Sequence, residues 1–247
     1  MPFSYLFTEP EYMLYGITLA LFLPFFLFSV IASIRVQTVF NKYNRIQSVS
    51  GISAQGYVRN FLASSGVDGI KFAAVRGSLT DNFNPATNTI SLSDTVRNSS
   101  ALGAIGVACH EAGHAVQHAR KYFFSSLRLK LVPVVNFASR LMWPIYIIGY
   151  IFGFASPYTA VGRAFLIAGL VVMGATLLFS LVTLPTEFDA SRRAYNSLKT
   201  CMLPDEAVAV KKVLRAAAMT YVASFMITSL QFLRILALLL MGRNRNN

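Results

Sequence analysis

Apolar residues along this chain gather into runs. Four are long enough to cross a bilayer, which takes about 20 residues in a helix. They cover residues 12–34, 135–155, 163–184 and 220–241. The first is uncharged throughout and contains Pro24, the second contains Arg140 and Pro144, and the fourth contains Arg234. Prolines are tolerated inside such helices because neighbouring groups satisfy the freed carbonyls. Arg140 lies near one end of its run and can snorkel, whereas Arg234 lies deeper and is expected to face another helix or a polar cavity.

Between the runs the pattern changes. Residues 53–64 place Tyr57 and Phe61, and Val58 and Leu62, four apart, which predicts a helix ended by Ser65-Gly66. Residues 70–75, 79–83 and 89–93 read as short strands separated by turns at Arg76-Gly77 and Asn84-Pro85. From Ser99 or Ser100, which offer an N-cap, a helix is predicted through about Arg120. The expected fold class is therefore a mainly α integral membrane protein, with about four transmembrane helices and a small α+β domain.

Composition sharpens this picture. The chain of 247 residues is 55% hydrophobic and only 13% charged, about half the charge of an average soluble domain. That excludes disordered and collagen-like chains. Two cysteines, Cys109 and Cys201, exclude a disulfide scaffold and suit a reducing compartment. The net charge is +12, but no nucleic-acid recognition motif accompanies it, so no nucleic-acid partner is expected.

The charge is laid out by topology. Of the 22 Lys and Arg residues, 17 lie in 35–130 and 185–218. By the positive-inside rule both segments are cytoplasmic and residues before 12 lie outside. The first run lacks a basic stretch before it and is too long for the core of a signal peptide, so it is read as a span. Two cytoplasmic segments, 35–130 and 185–218, thus share one side of the cell membrane in a multi-pass chain.

The chemistry draws on both segments. His110-Glu111-Ala112-Gly113-His114 is an H-E-x-x-H motif on the predicted helix. Residues four apart share a helix face, so both imidazoles can meet one Zn2+ ion. Glu111 is then placed to take a proton from the attacking water. A catalytic zinc site needs a third protein ligand. His118 lies two turns from His110, about 12 Å along the axis, too far for one ion on a straight helix. The remaining candidates on the same side are Glu187, Asp189, Asp205 and Glu206. Asp205 and Glu206 follow Pro204 and read as first-turn acids. Glu187 and Asp189 either play the same part after Pro185, or Glu187 is the third ligand, brought beside the two histidines by the fold.

Several stretches together resemble the YugP-like family of membrane zinc metallopeptidases. They are Leu79-Thr80-Asp81, Asn84-Pro85, residues 90–93, residues 106–117, residues 183–194 and residues 217–223. The resemblance implies His110 and His114 as zinc ligands and Glu111 as the catalytic residue. The family is similar to gluzincins, whose third ligand is a Glu on a later helix, which implies that the small cytoplasmic α+β domain is zincin-like and that Glu187 is the third ligand. Two positions depart from expectation. Asn82-Phe83-Asn84 stands where His-Tyr-Asp is expected, and Ser191 stands where gluzincins often carry an Asp that orients a ligand histidine. Asp189, Asn196 or a backbone carbonyl is expected to serve in its place.

The expected function is zinc-dependent endopeptidase hydrolysis of a peptide or protein substrate at the cytoplasmic membrane surface, with Glu111 as general base. Arg192, Arg193, Tyr195 and His118 are candidate oxyanion donors, and strand 89–93 is the candidate edge strand for an extended substrate. The alternative is a non-enzymatic membrane scaffold or adaptor with a structural or vestigial zinc site.

Overall fold

The structure is a computed structural model that describes residues 10–151 and 159–244. In chain order its elements are α1 (Pro10–Tyr43), α2 (Ala54–Ser64), β1 (Lys71–Val75), β2 (Asn82–Asn84), β3 (Thr89–Ser93), α3 (Asp94–Arg97), α4 (Leu102–Ala119), α5 (Phe123–Ile151), α6 (Ala160–Leu198) and α7 (Pro204–Asn244). The chain is mostly helical and divides into two compact units.

One unit comprises Met1–Val30, Arg128–Val182 and Val222–Asn247. Its helices carry their large apolar side chains outward, as Leu23, Phe26, Phe137 and Val171 do. Water would penalise that arrangement and hydrocarbon would not. Among the described residues, three helices are long and apolar enough to cross a membrane: α1, α6 and Pro204–Met241 of α7. The fourth expected crossing, 135–155, follows α5 as far as Ile151, and its last four residues lie outside the described part. Inside this unit the Arg234 guanidinium lies over the Tyr15 ring, 5.6 Å from its centroid. The arginine inside the fourth apolar run therefore makes an interhelical cation–π contact.

The other unit comprises Ile31–Leu127 and Thr183–Tyr221. Its core centres on α4, whose Ala104, Ile105, Ala108, Cys109, Ala112 and Ala115 are fully buried. Helix α2 packs on it through Tyr57, Val58, Phe61 and Leu62. Ser53 caps α2 by accepting the Gly56 N–H at 3.2 Å. Gly66, at φ +63°, closes the far end with the bond pair of a Schellman turn, Gly66 N–H to Ala63 and Val67 N–H to Leu62. The start of α4 is buried and has no side-chain cap. Its Leu102 N–H instead donates to the Ile46 carbonyl at 2.9 Å, so the loop after α1 fixes where α4 begins.

The three strands form one sheet in the order β1-β3-β2, with β1 parallel and β2 antiparallel to β3. This corrects the expectation for residues 89–93. β3 is the central strand, with both edges already paired and Ile90 and Leu92 buried, and β2 is the free antiparallel edge. The predicted strand 79–83 also shifts, to Asn82–Asn84. Leu79 sits at φ +57°, outside the strand region. Asp81 turns its carboxylate onto Ser93, accepting the Ser93 N–H at 2.7 Å.

Helix α6 differs most from expectation. It does not begin at Pro185. It runs through that proline from Ala160 to Leu198. Proline removes one intrahelical hydrogen bond without ending a helix whose flanking turns are held elsewhere. Glu187 and Asp189 are therefore mid-helix residues and not N-terminal acids.

Candidate metal centre

Helix α4 carries His110, Glu111 and His114, and the second half of α6 carries Glu187. The two helices meet backbone to backbone. A Cβ placed on Gly113 would lie 2.5 Å from the Ala190 carbonyl oxygen, so only glycine permits this approach. With that spacing Glu187 Oε2 comes 3.1 Å from His110 Nε2 and 3.5 Å from His114 Nε2. The three ligand atoms lie within 4.8 Å of one another and could hold a metal ion. Tetrahedral zinc with bonds of about 2.0–2.1 Å places neighbouring ligand atoms about 3.3 Å apart, close to both carboxylate separations.

Hydrogen bonding behind the histidines tests the fit independently. Gln117 is fully buried. Its Nε2 donates to the Thr186 carbonyl at 2.7 Å and to Asp189 Oδ2 at 3.0 Å. That fixes the amide orientation and leaves Oε1 facing His114 Nδ1 at 3.1 Å. An amide oxygen only accepts, so Nδ1 carries a ring proton, and in the neutral ring Nε2 presents a lone pair toward the Glu187 carboxylate. A second ring proton or a bound cation would satisfy that facing pair, and His110, His114 and Glu187 could together hold one metal ion.

His110 is oriented from α6. Its Nδ1 lies 3.1 Å from Ser191 Oγ. Glu187 and Ser191, one turn apart, thus meet opposite nitrogens of one ring. Asp189, Asn196 or a backbone carbonyl was expected at this ring nitrogen; the Ser191 hydroxyl lies there instead. Asp189 works one step further out. It holds Gln117 and accepts from both Arg192 and Arg193. Gln117 is the residue that reading the sequence missed, although its position three residues after His114, on the same face, was a usable signal.

The charges follow from this packing. Burial alone would raise the Glu187 carboxyl, but hydrogen bonds and charge from the two imidazoles outweigh it and hold it well below the usual carboxylate range. Burial alone would lower His114, but the facing Glu187 carboxylate raises it. Glu111 is pushed up, chiefly by burial, against the opposing pull of the two histidines and a hydrogen bond from the Phe83 backbone. Phe83 belongs to β2, so the edge strand touches the acid of the motif. Its ring also lies 5.9 Å from that of His118. His118 is outside the ligand cluster, as expected.

The other sequence candidates are placed by different contacts. Glu206 is buried and accepts the Val49 N–H at 2.7 Å and the Leu203 N–H at 3.3 Å. It ties the loop after α1 to the start of α7, where Asp205 is a first-turn acid. Arg192 and Arg193 are both drawn to Asp189, and Arg193 also lies over the Tyr122 ring. Tyr195 packs on the core and stacks under Lys211.

Residues 18–240 match the family model described as "putative neutral zinc metallopeptidase". The chain belongs to this family. Among curated proteins, this zinc metallopeptidase family member is 35% identical over 217 residues to "Putative membrane protease YugP" of Bacillus subtilis (strain 168). The alignment covers 87% of this chain and 93% of the relative. No solved structure matches the chain. Membership of the family agrees with zinc as the ion for the His110, His114 and Glu187 cluster.

Proposed function

We propose that the protein is a membrane zinc metalloendopeptidase that hydrolyses peptide bonds at the cytoplasmic membrane surface, with Glu111 as general base. The observation that carries this reading is the convergence of three donor atoms beside an acid that is not one of them. A purely structural zinc closes its fourth position with protein. Here the described residues supply three ligands, and Glu111 stands next to the first.

His110, His114 and Glu187 would hold the ion, which when bound supplies Lewis acidity to a substrate carbonyl and acidifies water. Ser191 and Gln117 fix the two ring orientations, so the lone pairs point inward before any ligand arrives. Glu111 takes a proton from the attacking water and returns it to the leaving amine. Burial raises its pKa, the direction that suits a group which takes up a proton and later returns it. The free edge of β2, next to Glu111, is the strand open to an extended substrate, in place of residues 89–93.

The test is Glu111→Gln in purified, zinc-loaded protein with an unfolded protein substrate. Zinc content should stay at the wild-type level while proteolysis falls by 100-fold or more, the scale of lost general-base catalysis. Undiminished proteolysis would refute the enzyme reading and favour a scaffold with a structural ion. Orientation has its own test. Cys201 is exposed and Cys109 is buried, so a membrane-impermeant maleimide should label Cys201 only after permeabilisation. Labelling of intact cells would place this unit outside.

A further inference from the structure

Ser191, which touches the outer nitrogen of His110, also lines a cavity of about 500 Å³ between α6 and α7. It lies within the unit that carries the metal cluster. Three of its lining residues are cations, Arg192, Lys211 and Arg215, and all three are exposed. Phe188, Ala218 and Met219 supply apolar wall. Asp189 accepts from Arg192, which keeps further N–H donors. Lys211 rests on the Tyr195 ring, 4.9 Å from its centroid. Among the described residues, no carboxylate pairs with Lys211 or Arg215. The cavity therefore has an excess of positive charge.

The lining is graded along both helices. On α6, Phe188 lies one turn nearer the apolar run 163–184 than Arg192 does. On α7, Ala218 and Met219 adjoin the run 220–241, while Arg215 is one turn and Lys211 two turns further back. Along each helix the apolar lining residues thus lie nearer to the apolar run than the cations do. A free anion would use only the cations. An amphiphile with an anionic head and an apolar tail uses both.

We propose that this cavity binds the phosphate of an anionic membrane phospholipid. Arg192, Lys211 and Arg215 take the phosphate oxygens, and Phe188, Ala218 and Met219 contact the glycerol and upper acyl region. Basic recesses beside membrane helices on the cytoplasmic side recognise lipid phosphates by this combination of charge and apolar contact. The inference stands apart from the hydrolytic reading, because it needs neither zinc nor Glu111.

Native mass spectrometry of the full chain tests it, with phosphatidylglycerol and phosphatidylcholine of matched acyl chains added in detergent. Phosphatidylglycerol should be retained in preference to phosphatidylcholine. Lys211→Gln/Arg215→Gln should bind it about 25-fold more weakly, from about fivefold per cation. Lys211→Arg/Arg215→Lys should bind it nearly as well as wild type. Inorganic phosphate should not displace it. Equal retention of the two lipids, an unchanged Gln double variant, or displacement by inorganic phosphate would each overturn the proposal. A photo-crosslinking phosphatidylglycerol analogue gives a measurement on wild-type protein. Crosslinks within residues 188–195 and 211–219 support the site, and their absence there overturns it.

Discussion

Replacing Gly113 by alanine tests how the metal cluster is built without touching a ligand. The added Cβ would stand 2.5 Å from the Ala190 carbonyl oxygen, where ordinary contact begins at 3.4 Å. Both groups are backbone-anchored on long helices, so neither can rotate away, and α4 and α6 must part by about 0.9 Å. Metal ligands tolerate displacements of about 0.2 Å. The variant should therefore lose at least 10–100-fold in zinc affinity, the scale seen when ligand orientation is disturbed. It should also lose about 1–3 kcal/mol of stability from overpacking. Zinc affinity is read by chelator competition on purified protein in nanodiscs, and stability by thermal unfolding of the metal-free form. Two further glycines calibrate the result. Gly106→Ala meets a movable Val210 methyl at 3.3 Å, and Gly169→Ala meets nothing within 4 Å. Their effects should be small and nil, respectively. If Gly113→Ala bound zinc like wild type, the close approach of α4 and α6 could not be what places Glu187.

Further outcomes follow from the same contacts. Glu187→Gln should abolish zinc binding, as His114→Ala should, whereas Glu206→Gln should retain zinc in full; metal analysis of the purified variants decides this. Gln117→Leu removes the acceptor for His114 Nδ1 and leaves Asp189 with one partner fewer, so zinc affinity should fall 10–100-fold; an unchanged chelator titration would show that Gln117 does not orient the ring. Ser191→Asp supplies His110 with a stronger acceptor and should hold zinc at least as tightly as wild type; weaker binding would mean that the carboxylate competes with Glu187 for the ring. Glu206→Ala strands the Val49 and Leu203 N–H groups and should cost about 1–3 kcal/mol with little effect on zinc, measured by thermal unfolding.

Local order along the chain was legible wherever neighbouring residues decide it. The i, i+4 pairs of α2, the alternation of β3 and the H-E-x-x-H spacing on α4 are short-range patterns, and the structure has those elements at those places. The first-turn position of Asp205 and Glu206 after Pro204 was equally local. Pro185 misled for the same reason: a proline suggests a boundary locally, but α6 continues through it, and the turn that follows is held by Gln117 on the Thr186 carbonyl. Leu79 and Asp81 left the predicted strand because Asp81 is bound to Ser93, twelve residues away.

The sequence by itself determined that two imidazoles share one helix face beside an acid, and that the chain carries far more apolar surface than a soluble protein can hide. It narrowed the third ligand to a few carboxylates. Only the tertiary structure shows which of them lies beside the two imidazoles, because that depends on how closely two helices approach across 77 residues of chain. That approach is set by the missing Cβ of Gly113 against the Ala190 backbone, a steric condition with no periodicity to betray it. The same packing turned Ser191 and Gln117 into the partners of the two rings, and the pairing of the strands made β2, not β3, an edge. Sequence spacing specifies which groups can face the same way; contact between elements specifies which of them meet.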